Sequence, residues 1–257
     1  MDLGLSRRTA LVLGSTSGLG RAIADGLAAE GARVAFCGRR TEIVASAAAA
    51  HPGSIGVAID LTDPESTAAA LDTVDEEFGH VDVLVLNSGG PPPGTAGELT
   101  SGQLAESLQT LVLTQIDLVA RYLPGMRERG WGRIVAVGSS GMQQPIPGLA
   151  RSNASRAALA GYLKTLSAEV AGDGVTVNMV LPGKIDTDRL TQIDNARAGS
   201  TGAAVEDVRA QSQAAIPIGR YGRPEEFGAA AVFLCGEPAG YITGIQLRVD
   251  GGAVGSY

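Results

Sequence analysis

The sequence predicts a single α/β domain built on a doubly wound parallel sheet of about seven strands with helices on both faces. Short apolar runs alternate with longer helical patterns along all 257 residues. Several runs are continuously apolar, which is typical of strands covered on both faces. Neither an internal repeat nor a linker interrupts this alternation, and such regularity implies right-handed crossovers. We therefore expect residues 1–257 to form one domain.

Seven segments are predicted as strands because they are short, apolar and rich in β-branched residues. In chain order they are Thr9–Leu13, Arg33–Cys37, Ile55–Ile59, Val81–Leu86, Arg133–Val137, Val175–Leu181 and Ile245–Val249.

Three of the intervening helices have readable starts. Asp63 stands before Pro64, which places a capping carboxylate ahead of a proline at the first helical position. Thr100 and Gln103 have the spacing of a capping box. Pro224 is followed by two glutamates, which favour the positive end of a helix dipole.

One long interruption, residues 186–216, separates the last two strands and is polar and rich in small residues. We expect it to form a partly helical lid over a binding site. A solvated insertion without function is the alternative interpretation.

Composition excludes several classes of function. The net charge of −7 and the pI near 4.9 disfavour nucleic acid and anionic membranes as partners. Two cysteines and two histidines provide neither a disulfide framework nor a zinc site, so no metal is expected. The apolar run after Arg7 and Arg8 is too short for a signal peptide, and no stretch is long enough to span a membrane. We expect a cytoplasmic protein that acts on a small molecule.

A glycine-rich turn follows the first predicted strand and leads into a helical pattern. Its seven residues are Gly14, Ser15, Thr16, Ser17, Gly18, Leu19 and Gly20. Glycine lets the backbone approach a pyrophosphate, whose charge is stabilised at the amino terminus of the helix. The turn is therefore predicted to bind a dinucleotide, although the GxxxGxG spacing alone is weak evidence and a turn without ligand is the alternative.

The end of the second strand predicts which dinucleotide binds. An NAD-selective site has an acidic residue about 20 positions after the glycine turn, but this chain has Arg39 and Arg40 there. Two guanidinium groups fit the 2′-phosphate of NADP(H). We expect NADP(H) to be preferred over NAD(H); a solvated basic loop is the alternative.

With these residues in view, the chain resembles the short-chain dehydrogenase/reductase family, in the branch of the 3-oxoacyl-carrier-protein reductases. The resemblance extends over nearly the whole chain. It is carried by GSTSGLG at 14–20, NSGG at 87–90, GRIVAVGSS at 132–140, VNMVLPGKIDT at 177–187 and the segment from 222 to 252.

The resemblance implies a role for further residues. Asp60 and Leu61 would lie by the adenine, and Asn87, Ser88 and Gly89 would line the middle of the cofactor. Pro182, Gly183, Ile185 and Thr187 would meet the nicotinamide end, and Ser139 would polarise a substrate carbonyl. The resemblance also implies a homodimer or homotetramer, with helices at about 101–121 and 153–171 available for its interfaces.

The chain departs from the family at three of four catalytic positions. Thirteen residues after Ser139, where the family has tyrosine, stands Ser152, and the lysine position four residues further on is Arg156. The asparagine of the fourth helix is replaced by Leu111. Arg156 can still hold the nicotinamide ribose, whereas the hydroxyl of Ser152 is shorter in reach by roughly 4 Å and is a poor acid.

These departures leave three functions open. The first is an NADP(H)-dependent oxidoreductase of a small carbonyl or alcohol, with Ser139, Ser152 and Arg156 at an atypical catalytic site. Loss of a positioned acid costs about 10²–10⁴ in rate, which orientation of the reactants partly offsets. Arg156 then holds either the ribose or a substrate carboxylate or enolate. The second is a nucleotide-binding protein without turnover that acts as a regulatory subunit, and the third is a non-redox enzyme.

Overall fold

The computed structural model describes residues 1–255, which form one seven-stranded parallel sheet in the order β3-β2-β1-β4-β5-β6-β7. The strands are β1 (Thr9–Val12), β2 (Arg33–Gly38), β3 (Ile55–Ala58), β4 (Val83–Leu86), β5 (Gly132–Val137), β6 (Val175–Pro182) and β7 (Gln246–Val249). All seven predicted strands are present, with ends that differ by at most two residues, and the predicted fold class is confirmed.

Nine α-helices are found in this range. They are α1 (Gly18–Ala29), α2 (Thr41–Ala49), α3 (Pro64–Phe78), α4 (Ser101–Leu108), α5 (Thr114–Glu128), α6 (Ala150–Val170), α7 (Asp188–Thr201), α8 (Val205–Ala214) and α9 (Pro224–Cys235). None of the described helices is both long and apolar enough to cross a bilayer.

The strand order creates the crevice in which such sheets bind ligands. The chain runs outward from β1 through β2 to β3 and then returns to β4, which pairs with the other edge of β1. The connections after β1 and β4 therefore leave the sheet in opposite directions, and a gap opens between them at the carboxyl ends of these strands.

Two apolar layers hold the helices against the sheet. On one face Leu84 and Ile134 belong to a cluster that also includes residues of α3, α5 and α6. On the other face Phe36 and Phe227 belong to a cluster that includes residues of α1, α2 and α9. The alternating side chains of the strands serve both layers, which explains why their sequences are apolar throughout.

The predicted helix starts are present. The carboxylate of Asp63 accepts a hydrogen bond from the N–H group of Glu65, and Thr100 and Gln103 form the reciprocal capping box. At the start of α9 the carboxylate of Glu226 accepts from the N–H group of Arg223. Hydrogen bonds from Arg220 and then Arg223 lower the pKa of Glu226 to about 2.

The long helix expected at about 101–121 is interrupted. A π-helical turn, Gln109–Leu113, separates α4 from α5. Gln109 O accepts hydrogen bonds from both the N–H group and the hydroxyl of Thr114. The side-chain amide of Gln115 donates to Thr110 O. Such turns are frequent at functional sites, and this one forms a wall of the cleft described below.

Candidate active site and dinucleotide cleft

A cleft of about 930 Å³ opens at the carboxyl ends of the strands around the crevice. Its walls come from the glycine turn, the ends of β2 and β3, the loop after β4, the π-helical turn and the start of α6. The lining residues are Gly14, Thr16, Ser17, Gly38, Arg39, Arg40, Ile59, Asp60, Leu61, Thr62, Asn87, Ser88, Gly89, Gly90, Pro91, Pro92, Glu106, Ser107, Thr110, Leu111 and Arg151.

The glycine turn has a backbone that other residues rarely adopt. Gly14 and Gly18 have φ angles of 58° and 59°, in the left-handed region that favours glycine. A Cβ atom on Gly20 would lie 2.3 Å from Gly14 O. The turn is therefore closed against the first turn of α1, which brings the helix start next to the end of β1.

The amino terminus of α1 is free to receive an anion. Ser17 is the cap residue, but its side chain makes no capping hydrogen bond, and the first turn contains no acidic residue. The first N–H groups of the helix therefore lack an intrahelical partner and carry the positive end of the dipole. Leu19, in the same turn, packs against the apolar layer instead.

Ser15 and Asn87, which the motifs predict as cofactor-binding residues, stabilise this turn by hydrogen bonds. The hydroxyl of Ser15 is fully buried and donates to Val12 O, while it accepts from the N–H group of Cys37. The Ser15 N–H group donates to Cys37 O, so neither group of Ser15 is left for a ligand. The amide of Asn87 donates to Leu13 O at 3.2 Å and to Gly14 O at 3.3 Å.

Arg39 and Arg40 stand exposed at the end of β2, where the sequence placed them. The guanidinium of Arg40 donates to the hydroxyls of Thr16 at 2.8 Å and Ser17 at 3.1 Å. No carboxylate among residues 1–255 forms an ion pair with either arginine. Both cations line this end of the cleft without an ion pair to any described residue.

The middle of the cleft contains the residues after β3 and β4. Asp60 accepts hydrogen bonds from the N–H and hydroxyl groups of Thr62, which lower its pKa together with the charge of Arg39. Leu61 packs partly on the apolar layer. Ser88 and Gly89 line the cleft directly.

The segment after β6 approaches the glycine turn from the other side. A Cβ atom on Gly183 would lie 2.6 Å from the Cα atom of Asp250, so this position is tightly packed. Pro182 ends β6, and Ile185 is buried. Thr187 caps α7, and its Cγ2 lies 3.5 Å from the position that a Cβ atom on Gly18 would occupy. Thr187 therefore lies next to the glycine turn.

Helix α6 brings Ser152 and Arg156 against the end of β5. The two residues are one helical turn apart and share a face, and both side chains are buried. Arg156 donates to Val137 O at 2.6 Å. Ser139 lies two residues after Val137. Its hydroxyl oxygen accepts a hydrogen bond from Gly141 N–H, which leaves its own hydroxyl proton free to donate. The Ser152 hydroxyl makes no hydrogen bond within residues 1–255.

Arg156 is a buried cation without a counter-ion. It is 8% exposed, and no carboxylate in the described range forms an ion pair with it. Burial, followed by the charge of Arg189, lowers the pKa of Arg156 to about 10. Because burying an unpaired charge is costly, such a residue indicates a site that binds an anion or a hydroxyl-rich group.

No tyrosine in the described part of the chain lies in the cleft. Tyr122 is buried in the apolar core, Tyr162 packs beside that core, Tyr221 bonds to Asp194 and Tyr241 is fully exposed. The lysine in the segment after β6, Lys184, has a pKa that burial lowers.

The interruption at residues 186–216 is partly helical, as expected, and consists mainly of α7 and α8. The hydroxyl of Tyr221 donates to the buried carboxylate of Asp194 at 3.0 Å, and Arg209 pairs with Asp186 at 3.0 Å. The first contact ties α7 to the segment before α9, and the second ties α8 to the residues before α7.

The sequence did not indicate that Arg189 belongs to the site. Nor did it indicate the wall of the cleft formed by Glu106, Thr110 and Arg151. Arg189 lies on the first turn of α7 and reaches toward the loop after β4. A charged residue in a polar segment gives no signal of its own, because only the fold shows which loop it faces. Arg151 adjoins Ser152, and this adjacency was the one available signal.

Comparison with known proteins agrees with this geometry. A family model described as "Enoyl-(Acyl carrier protein) reductase" matches residues 14–254. The 3-oxoacyl-[acyl-carrier-protein] reductase of Vibrio cholerae is 36% identical over 253 residues, which are 97% of this chain and 98% of that protein.

Two solved structures have the same fold. L-sorbose reductase from Gluconobacter frateurii, complexed with NADPH and L-sorbose, superposes with a TM-score of 0.94 at 33% identity and full coverage of both chains. YwfH, an NADPH-dependent reductase involved in bacilysin biosynthesis, has a TM-score of 0.92 at 30% identity and covers 98% of this chain and all of its own.

Proposed function

Because the chain belongs to the short-chain dehydrogenase/reductase family, we propose that it is an NADP(H)-dependent oxidoreductase of a small carbonyl or alcohol with an atypical catalytic site. The single observation that supports this most strongly is the pair Ser152 and Arg156. Both are buried on one face of α6 beside the carboxyl end of β5, next to an otherwise complete dinucleotide cleft.

The donors in the cleft fit NADP(H). The open amino terminus of α1 suits the diphosphate, and Arg39 and Arg40 suit the 2′-phosphate. Solved relatives of at least 30% identity are described with NADPH, which supports the same coenzyme here. When bound, the coenzyme supplies a hydride to a carbonyl carbon or accepts one from an alcohol.

Arg156 keeps the role of holding the cofactor. One of its five N–H groups donates to Val137 O, and the remaining donors suit the ribose hydroxyls. The Val137 bond fixes the guanidinium on the same strand end as Ser139. Because arginine stays charged at neutral pH even with a pKa of about 10, this role does not depend on pH in the physiological range.

Ser139 polarises the substrate. Its oxygen is held by Gly141 N–H, so the hydroxyl proton is directed to another acceptor, and a substrate carbonyl oxygen fits that role. Such a donor stabilises the negative charge that develops as hydride arrives.

The proton takes an indirect route. Ser152 is too short to replace a phenol, but the oxygen Oδ1 of the neighbouring Asn153 is buried without a donor in the described range, and the hydroxyl of Ser152 is unbonded. Polar groups of this kind hold ordered water, which we propose as the relay between Ser139, Ser152 and the substrate oxygen.

NADPH oxidation by ketones, quinones and β-ketoacyl thioesters tests the proposal. We expect turnover with at least one class, and a fall in kcat of about 10²–10³ in Ser139→Ala, as for loss of a donor to a developing oxyanion. Ser140→Ala is the matched control. Tight NADPH binding without any turnover would favour a regulatory nucleotide-binding protein, and unchanged turnover in Ser139→Ala would exclude the proposed role of Ser139.

The remaining predictions concern assembly and location. We propose a homodimer or homotetramer, because the family forms such assemblies and α4 to α6 offer long helical surfaces. The cytoplasmic location also stays a prediction, as does the action of residues 186–216 as a lid.

A further inference from the structure

Arg189 spans the mouth of the cleft at the nicotinamide end. It lies on the first turn of α7, two residues after Thr187. One guanidinium nitrogen, Nη2, is 3.5 Å from Pro91 O and 3.3 Å from the position of a Cβ atom on Gly90. The side chain therefore extends from the proposed lid to the loop after β4, over the space where a substrate would enter.

The charge of Arg189 is uncompensated, unlike that of Arg209 and Arg220. Arg209 pairs with Asp186 at 3.0 Å, and Arg220 pairs with Glu226 at 2.7 Å. Arg189 forms no ion pair with any residue from 1 to 255, and its only hydrogen bond, to Pro91 O, is long. Its strongest donors are thus available to a ligand.

A second uncompensated cation lies at the same end of the cleft. Arg156 is more than nine-tenths buried and has a carbonyl group, Val137 O, as its only hydrogen-bond partner in the described range. The charge of Arg189 is the second cause, after burial, that lowers the pKa of Arg156. An anion at this end of the cleft would be favoured by both charges.

The anionic groups of the coenzyme have donors elsewhere. The diphosphate fits the start of α1, and the 2′-phosphate fits Arg39 and Arg40 at the far end of the cleft. Because the donors of Arg156 suit the ribose, Arg189 is the cation at the nicotinamide end that is left for the other ligand, the substrate.

We propose that Arg189 forms a subsite for a carboxylate carried by the substrate, with the charge of Arg156 adding to the positive potential there, so that an oxo acid is selected over the corresponding neutral ketone. This inference rests on the proposed function. Arg189 provides a planar fork that suits bidentate binding of a carboxylate, and Arg156 adds a buried positive charge, whose interaction with an anion is weakly screened. Arg189 is a specificity-determining residue. It lies on α7, outside the proposed hydride-transfer site, so it affects which substrate binds and not the geometry of hydride transfer.

Matched acids and esters test the subsite by binding and by turnover. Acetoacetate, levulinate and benzoylacetate, each with its methyl ester, are titrated into the protein saturated with NADP⁺ and are assayed with NADPH. We expect the wild-type protein to bind at least one acid more tightly than its ester. Arg189→Gln should weaken binding of that acid about tenfold or more, as for loss of a charge-assisted pair, and should change ester binding less than about twofold.

Arg197→Gln is the control, because Arg197 lies on the same helix but donates to Gln211. It should leave acid binding unchanged. Equal binding of acids and esters by the wild-type protein, or no binding of any acid, overturns the subsite. Weaker NADPH binding in Arg189→Gln with unchanged acid binding also overturns it, because the anion is then the coenzyme diphosphate. Arg189-dependent acid binding without any turnover supports the subsite and contradicts the proposed oxidoreductase.

Discussion

At the scale of single residues, the proposed site depends on two residues on one face of α6. The structure buries Ser152 and Arg156 beside β5, and we propose that they occupy the positions where the family has tyrosine and lysine. An arginine there would retain a donor for the ribose, whereas a serine would have neither the reach nor the acidity of a phenol. On this proposal the proton route differs from that of the family more than cofactor binding does.

The double variant Ser152→Tyr/Arg156→Lys tests whether the chemistry is rerouted. We expect kcat/KM for the best wild-type substrate to fall about tenfold or more, because a ring roughly 4 Å longer fills the space beside Ser139 and lysine lacks the planar fork of arginine. The comparison is made by NADPH oxidation, with Arg156→Lys alone as the control. A gain in ketone reduction by the double variant would show instead that the chemistry of this chain was lost.

At the scale of elements, α7 and α8 are held in place by three polar residues, Asp194, Tyr221 and Arg209, which we call the latch. Asp194 is 3% exposed and accepts from Tyr221, while Arg209 stands 3.9 Å away. Burial is the first cause that raises the pKa of Tyr221, so this hydroxyl stays protonated and donates throughout the neutral range.

Removal of the latch should loosen these two helices selectively. Tyr221→Phe leaves the carboxylate of Asp194 without its nearest donor, a loss of about 1.5–3 kcal/mol for a bond to a charged group. We expect faster amide hydrogen exchange in α7 and α8 and a higher KM for substrate, with exchange in the sheet unchanged. Tyr241→Phe, at a fully exposed position, should have no effect. Unchanged protection in α7 and α8 would show that the hydroxyl does not hold them.

Elements were predictable where a local pattern determines them. Each strand is a short apolar run, and the caps at Asp63 and Thr100 depend on residues within four positions, so both could be read directly. The π-helical turn could not, because Gln109–Leu113 contains no proline or glycine and its extra residue is accommodated by bonds from Thr114 and Gln115. Arg189 escaped prediction for a related reason: its significance comes from a loop nearly 100 residues away.

At the scale of the whole molecule, the two ends of the parallel strands differ in function. The carboxyl ends of the strands carry the cleft and all residues assigned to ligands. The amino-terminal ends of the strands carry a buried polar network, in which Asp82 accepts a hydrogen bond from Thr9 N–H and pairs with Arg129. There the guanidinium carbons of Arg8 and Arg133 lie 3.7 Å and 4.3 Å from the ring centroid of Trp131.

This separation would allow catalytic residues to change while the fold persists. The replacements that we propose at Ser152 and Arg156 lie outside the residues at the amino-terminal ends of the strands, and the cleft has its glycine turn and its basic end. The central claim is therefore that the cleft binds NADP(H), selected by Arg39 and Arg40.

Fluorescence titration of the protein with NADPH and with NADH tests this claim most directly. The account predicts that NADPH binds at least about tenfold more tightly, because the 2′-phosphate gains charge-assisted hydrogen bonds, and that Arg40→Ala removes most of the difference. Equal or tighter binding of NADH by the wild-type protein would contradict it.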